Sequence, residues 1–70
     1  MMPLTFASVG ETATIRKITG KDEVRQHLAE LGFVVGETVT VVSSICGNLI
    51  LNIKGSRIAL DASMAQRVML

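Results

Sequence analysis

The chain has little of what small domains use to brace themselves or to do chemistry. Among its 70 residues there is one cysteine (Cys46), one proline (Pro3), one histidine (His27), no tryptophan and no tyrosine, and the only aromatics are Phe6 and Phe33. A single cysteine excludes an intrachain disulfide. The start, Met1-Met2-Pro3-Leu4, has neither the charged n-region nor the apolar h-region of a secretory leader. Both features point to a reducing, cytoplasmic setting. Two phenylalanines leave no set of base-stacking platforms. Neither sign of charge dominates: seven Lys and Arg against six Asp and Glu give +1, and the cations are spread from Arg16 to Arg67. No basic block marks a nucleic-acid footprint, so no nucleic-acid partner is expected. There is no glycine-rich phosphate loop, and one His with one Cys cannot assemble a triad, so the chain does not read as an enzyme.

Long hydrophobic runs are missing too. The longest uncharged stretch, Thr38 to Ile53, is broken by Ser43, Ser44, Gly47, Asn48 and Asn52 and is too short and polar to span a membrane. Mean hydropathy is nevertheless +0.48, high for a small domain. The surplus marks a surface that docks to a partner. Residues 1–70 make one domain at most. A chain of this length buries roughly 60% of the surface its unfolded form exposes, and its core supplies a net ~3–5 kcal/mol. Any site must therefore sit on the surface or at an interface.

What is present is a clear switch of apolar period. Val24, Leu28 and Leu31 recur at i, i+4 and i+7, which predicts a helix over Gly20 to Leu31 with Asp22 and Glu23 at its dipole-favoured N-terminus. Gly32 suits the left-handed position after the last turn, and Phe33 then packs on Leu28 in a Schellman motif. Gly36 opens a strand at Thr38 to Val42. A strand over Val9 to Ile15 comes before the helix, and because Ile18 falls out of its alternation a strand end or bulge is expected near Lys17. Val9-Gly10-Glu11-Thr12 recurs residue for residue as Val35-Gly36-Glu37-Thr38, read as two strands entering the sheet through similar glycine turns rather than as a repeat protein. After the second strand come a loop, Ser44 to Asn48, turning at Gly47-Asn48, and a strand through Leu49, Leu51 and Ile53. A two-residue loop, Gly55-Ser56, leads into a strand, Arg57 to Leu60, and Asp61 caps a helical turn over Ala62 to Ala65. Val68 to Leu70 is a short closing strand. The expected fold is mainly β: a small barrel with one α-helix inserted after the first strand and a short helical turn near the C-terminus.

The ordered set Leu28-x-x-Leu31-Gly32-Phe33-x-x-Gly36-x-x-Val39, with Pro3-Leu4, Gly10-Glu11, Gly55-Ser56-Arg57-Ile58-Ala59-Leu60 and Ala65-x-x-Val68, resembles the FeoA family, small cytoplasmic proteins of bacterial ferrous iron uptake. The resemblance covers nearly the whole chain. It implies an SH3-like β-barrel and an accessory role beside FeoB, a membrane ferrous iron transporter with a cytoplasmic GTPase domain. It also implies a broad link to transition-metal binding. Related domains end metal-dependent repressors, but no DNA-binding segment precedes the domain here, so a complete repressor is not expected. The sequence departs from the family at Ile45-Cys46-Gly47-Asn48, which lacks the Gly-Asp-Pro turn of many relatives.

Three groups of candidate site residues follow. Val34 and Val35 bracket a sharp turn where both cannot be buried, and with Phe33 they form a candidate docking patch. Glu23, His27 and Glu30, at i, i+4 and i+7, form a stripe whose donors suit Fe²⁺ or another divalent transition metal, or else a solvated helix flank. Gly32, Gly36 and Gly55 are structural turn residues. Cys46 reads as a small residue at a hairpin tip, and the four methionines show no metal-binding spacing. Arg16, Lys17, Lys54 and Arg57 form a basic patch if the first strand approaches the meander. The expected function is a cytoplasmic adaptor, not itself membrane-spanning. It would be recruited to the inner face of the membrane by the cytoplasmic region of a FeoB-like transporter. A metal-sensing module and an RNA- or ribosome-binding SH3-like adaptor are the alternatives.

Overall fold

The computed structural model describes all 70 residues. A 3-10 turn at Leu4–Phe6 precedes β1 (Thr12–Thr14), β2 (Lys17–Ile18), α1 (Asp22–Glu30), β3 (Thr38–Ile45), β4 (Asn48–Ile53), β5 (Ser56–Leu60), α2 (Ala62–Ala65) and β6 (Val68–Met69). The larger sheet has the antiparallel order β1-β3-β4-β5, and β2 pairs with β6 in a second, two-stranded sheet. Met2 and Leu70 exchange backbone hydrogen bonds of 3.2 and 2.8 Å, which ties the two ends of the chain together. The break expected near Lys17 is real. Between Thr14 and Lys17 the chain leaves one sheet for the other, with Ile15 buried at the corner. The fold is SH3-like, with β1 and β5 left as free edges so that the barrel does not close.

All 13 buried residues are apolar, and no buried side-chain nitrogen or oxygen lacks a partner. They come from every layer: Leu4 from the 3-10 turn, Leu28 from α1, Val39, Val41, Leu49, Leu51, Ile53 and Leu60 from the larger sheet, and Val68 from β6. Every titratable side chain therefore lies outside this core.

The end of α1 is built as its residues predict. Gly32 lies at φ +104°, its N–H donates to the Ala29 carbonyl at 3.0 Å, and the Phe33 N–H donates to Leu28 at 2.9 Å. This double closure is a Schellman motif, and it delivers Phe33 into the same core as Leu28. The echoed strings are likewise two copies of one turn. The Glu11 N–H donates to Ser8 (3.0 Å) and the Glu37 N–H to Val34 (3.1 Å), with Gly10 and Gly36 at positive φ in the third position. That is the type II pattern. Gly10 donates to Val41 and Gly36 to Ile15, so the turns sit at opposite ends of the β1–β3 ladder, related by a local two-fold through Ala13 and Val39.

Both meander loops differ from the sequence reading by one residue. Ile45 pairs with Asn48 and Ile53 with Ser56, so the loops are Cys46-Gly47 and Lys54-Gly55, not Gly47-Asn48 and Gly55-Ser56. Both residues of each loop have positive φ (Cys46 51°, Gly47 81°; Lys54 52°, Gly55 79°), as a type I′ turn requires. Such a turn matches strand twist with Gly second, so each loop lies one residue earlier in the chain than a Gly-X loop would, and the next strand begins directly after the glycine. β3 runs on to Ile45 rather than stopping at Val42, and the register shifts between Val41 and Ser43, leaving Val42 as an extra residue. Unbroken alternation from Val39 and Val41 would point Ile45 into the core. The bulge turns it to the outer face, where it is 65% exposed.

Candidate functional site: a basic and aliphatic groove beside the helix

The sheet change at Ile15 places the next five residues along α1. The Arg16 N–H donates to Met69 at 2.8 Å and the Thr19 N–H to Arg67 at 2.8 Å, which holds β2 against the C-terminal strand. Between this segment, α1 and the turn after it lies an open groove of about 550 Å³. Arg16, Lys17 and Arg25 supply its charge, while Ile18, Ala29 and the Phe33–Val35 segment supply apolar wall. No carboxylate lines it. The Asp22 carboxylate lies 3.8 Å from the Arg25 guanidinium, but both are largely in solvent, where such a pair contributes little.

The candidate docking residues divide. Val35 is 65% exposed and Val34 37%, and both line the groove. Phe33 is fully buried, so it is floor and core rather than contact surface, because the Schellman closure turns its side chain inward. The candidate basic patch divides too. Arg16 and Lys17 reach the groove, Lys54 lies 3.8 Å from Glu37, and Arg57 pairs across from Asn52 on the outer sheet face. Its groove partner is Arg25, which the sequence reading passed over. The signal was there: Arg25 and Ala29 are spaced i, i+4 and share a helix face.

Glu23, His27 and Glu30 are all exposed on α1. Nowhere in the structure do three His, Cys, Asp or Glu side chains gather as a metal site would need. Cys46 is exposed at the β3–β4 hairpin tip. Phe6 and Val9, 72% and 61% exposed, are apolar surface residues that the sequence reading did not single out. Gly32, Gly36 and Gly55 all lie in turns with positive φ. No helix is long and apolar enough to cross a membrane.

An open SH3-like fold with an apolar core and a groove between its second strand and its helix defines the class: a small SH3-like β domain. Within that class the chain belongs to the FeoA family, whose domain model matches residues 2–70. It is 33% identical over 69 residues, 99% of this chain and 84% of the relative, to a protein of Methanocaldococcus jannaschii provisionally named Fe(2+) transport protein A. Among solved structures it resembles an iron uptake regulatory protein (FeoA) with a TM-score of 0.90 at 32% identity, over 97% of this chain and 90% of that one. It also resembles a zinc complex of FeoA from Stenotrophomonas maltophilia, described as an SH3 domain protein and a candidate activating factor for ferrous iron transport. That match has a TM-score of 0.85 at 29% identity and covers 99% and 88% of the two chains. A manganese-dependent transcriptional repressor shares the fold alone, with a TM-score of 0.87 at 19% identity over 94% of this chain and 38% of that one.

Proposed function

We propose that this protein is a non-enzymatic, cytoplasmic accessory factor of ferrous iron uptake that works by docking on the cytoplasmic region of a FeoB-like transporter, recruited by it to the inner face of the membrane. The observation that carries the reading is the groove wall. Val34 and Val35 stand exposed beside three cations, on a domain whose core holds no polar group. Apolar side chains held out by a turn gain about 25 cal/mol for each Å² that a partner covers, and rigid presentation lowers the entropy cost of docking. Family membership supplies the process in which the docking is set. Iron in this reading is cargo of the transporter.

The test is a pull-down of the transporter's cytoplasmic region by the wild-type protein and by Val34→Asp and Val35→Asp variants, with ferrous iron uptake measured in a deletion strain. Capture by the wild type, loss of capture in the variants and reduced uptake in the strain are expected. Equal capture by both variants would refute the placement of the surface, and unchanged uptake would refute the role. Metal sensing through Glu23, His27 and Glu30 is a second reading, favoured by the zinc in the S. maltophilia relative. It is tested by zinc or ferrous titration of the wild type and of His27→Ala.

A further inference from the structure

We propose that the groove receives a linear peptide segment of the partner in which carboxylates are interspersed with aliphatic side chains. The inference rests on the docking function above and names the chemistry of what docks.

Charge is the first argument. The chain as a whole carries only +1, yet the fold sorts it. Arg16 and Lys17 come from the sheet-changing segment and Arg25 from the helix, and all three line one groove without a carboxylate among them. A fourth cation stands at the rim. A Cβ placed on Gly20, itself a lining residue, would sit 3.4 Å from Arg67 Cδ and 3.6 Å from Arg67 Nε, so the Arg67 side chain lies along Gly20. Of the acids elsewhere, Glu37 is engaged by Lys54 at 3.8 Å. Asp22, the acid that faces Arg25, is fully exposed on its side chain, and a docked carboxylate can replace it at Arg25 with little loss.

Apolar surface is the second argument, and it separates a peptide from a free phosphate. Half of the lining is hydrophobic, with Ile18, Val34 and Val35 opposite or beside the cations. An inorganic anion would meet the charges and leave that wall wet. An acidic segment with Leu- or Ile-like side chains meets both. The size agrees, because about 550 Å³ falls inside the roughly 300–1,000 Å³ of pockets that hold a compact ligand or a few residues of chain.

The experiment uses the full chain, ¹⁵N-labelled, titrated with three probes: a synthetic peptide alternating Glu with Leu, the same peptide with Lys for Glu, and sodium tripolyphosphate. The Glu–Leu peptide is expected to shift the backbone amides of Arg16 to Gly20, Arg25, Val34 and Val35, and added salt should weaken it. An Arg16→Glu/Lys17→Glu double variant, shown by its dispersed spectrum to be folded, should bind it about tenfold or more weakly. Four results would each overturn the proposal: no binding of the Glu–Leu peptide, shifts confined to another face, equal binding of the Lys–Leu peptide, or tripolyphosphate binding at least as tightly. The same double variant belongs in the transporter pull-down. If it is captured as well as wild type, the acidic-peptide chemistry is wrong while the docking function stands. If wild type itself is not captured, the docking function is what fails.

Discussion

Replacing Gly32 with alanine isolates one backbone term in this fold. Gly32 sits at φ +104°, between the last turn of α1 and the buried Phe33. A Cβ there would meet a single heavy atom within 4 Å, Ile53 Cγ2 at 3.9 Å, which is ordinary contact. Steric clash with the rest of the protein therefore adds nothing, and the cost is that of holding an L-residue in left-handed space, about 1–2 kcal/mol. Each kcal/mol lowers the melting temperature of a domain this size by about 4–8 °C. The loss is a large part of the ~3–5 kcal/mol that such a core supplies. Gly32→Asn should lose less, since asparagine tolerates the left-handed region. A D-alanine introduced by chemical synthesis should lose nothing, having the matching handedness. Thermal melts and urea titrations of the three variants check the order. If Gly32→Ala left the midpoint unchanged, the Schellman reading would be wrong. A loss of about 3–5 kcal/mol, the size of a large core truncation, would mean that packing rather than backbone conformation holds the site.

Two further outcomes follow from the same geometry. Cys46 occupies the first loop position of a type I′ turn at φ 51°, ahead of Gly47, and Asn-Gly is the preferred pair there. Cys46→Asn should therefore stabilise the hairpin by about 0.5–1 kcal/mol, read as a higher urea midpoint at unchanged slope. Because the Glu23, His27 and Glu30 side chains do not gather into one three-ligand group, zinc or ferrous titrations of wild type and His27→Ala should give the same isotherm. A wild-type site that His27→Ala removes would instead establish metal binding at this stripe.

What could be read in the chain was what neighbouring residues settle among themselves. The stop of α1, the burial of Leu28 with Phe33, the matched turns at Gly10 and Gly36, and the Asp61 cap, whose carboxylate accepts the Met64 N–H at 2.8 Å, all depend on spans of about five residues or fewer. The meander loops were misplaced by one residue because a Gly-X loop and an X-Gly loop look equally good locally. Only the pairing of Ile45 with Asn48 and Ile53 with Ser56 chooses between them. The exposure of Ile45 was illegible for a related reason. Its face is set by a bulge at Val42, which depends on how β3 lies against β4.

By itself, then, the sequence determined a mainly β chain with one helix, the glycines on which its turns depend, an apolar core and two valines left outside at a turn, because steric limits on φ and the periods of helix and strand act over a few residues. The groove was decided only by the tertiary structure. Arg16 and Lys17 come beside Arg25, with Arg67 at the rim, because the chain changes sheets at Ile15 and the C-terminal strand returns to pair with β2. Charges scattered along a nearly neutral sequence become a one-signed surface when long-range pairing brings together residues that no local pattern connects.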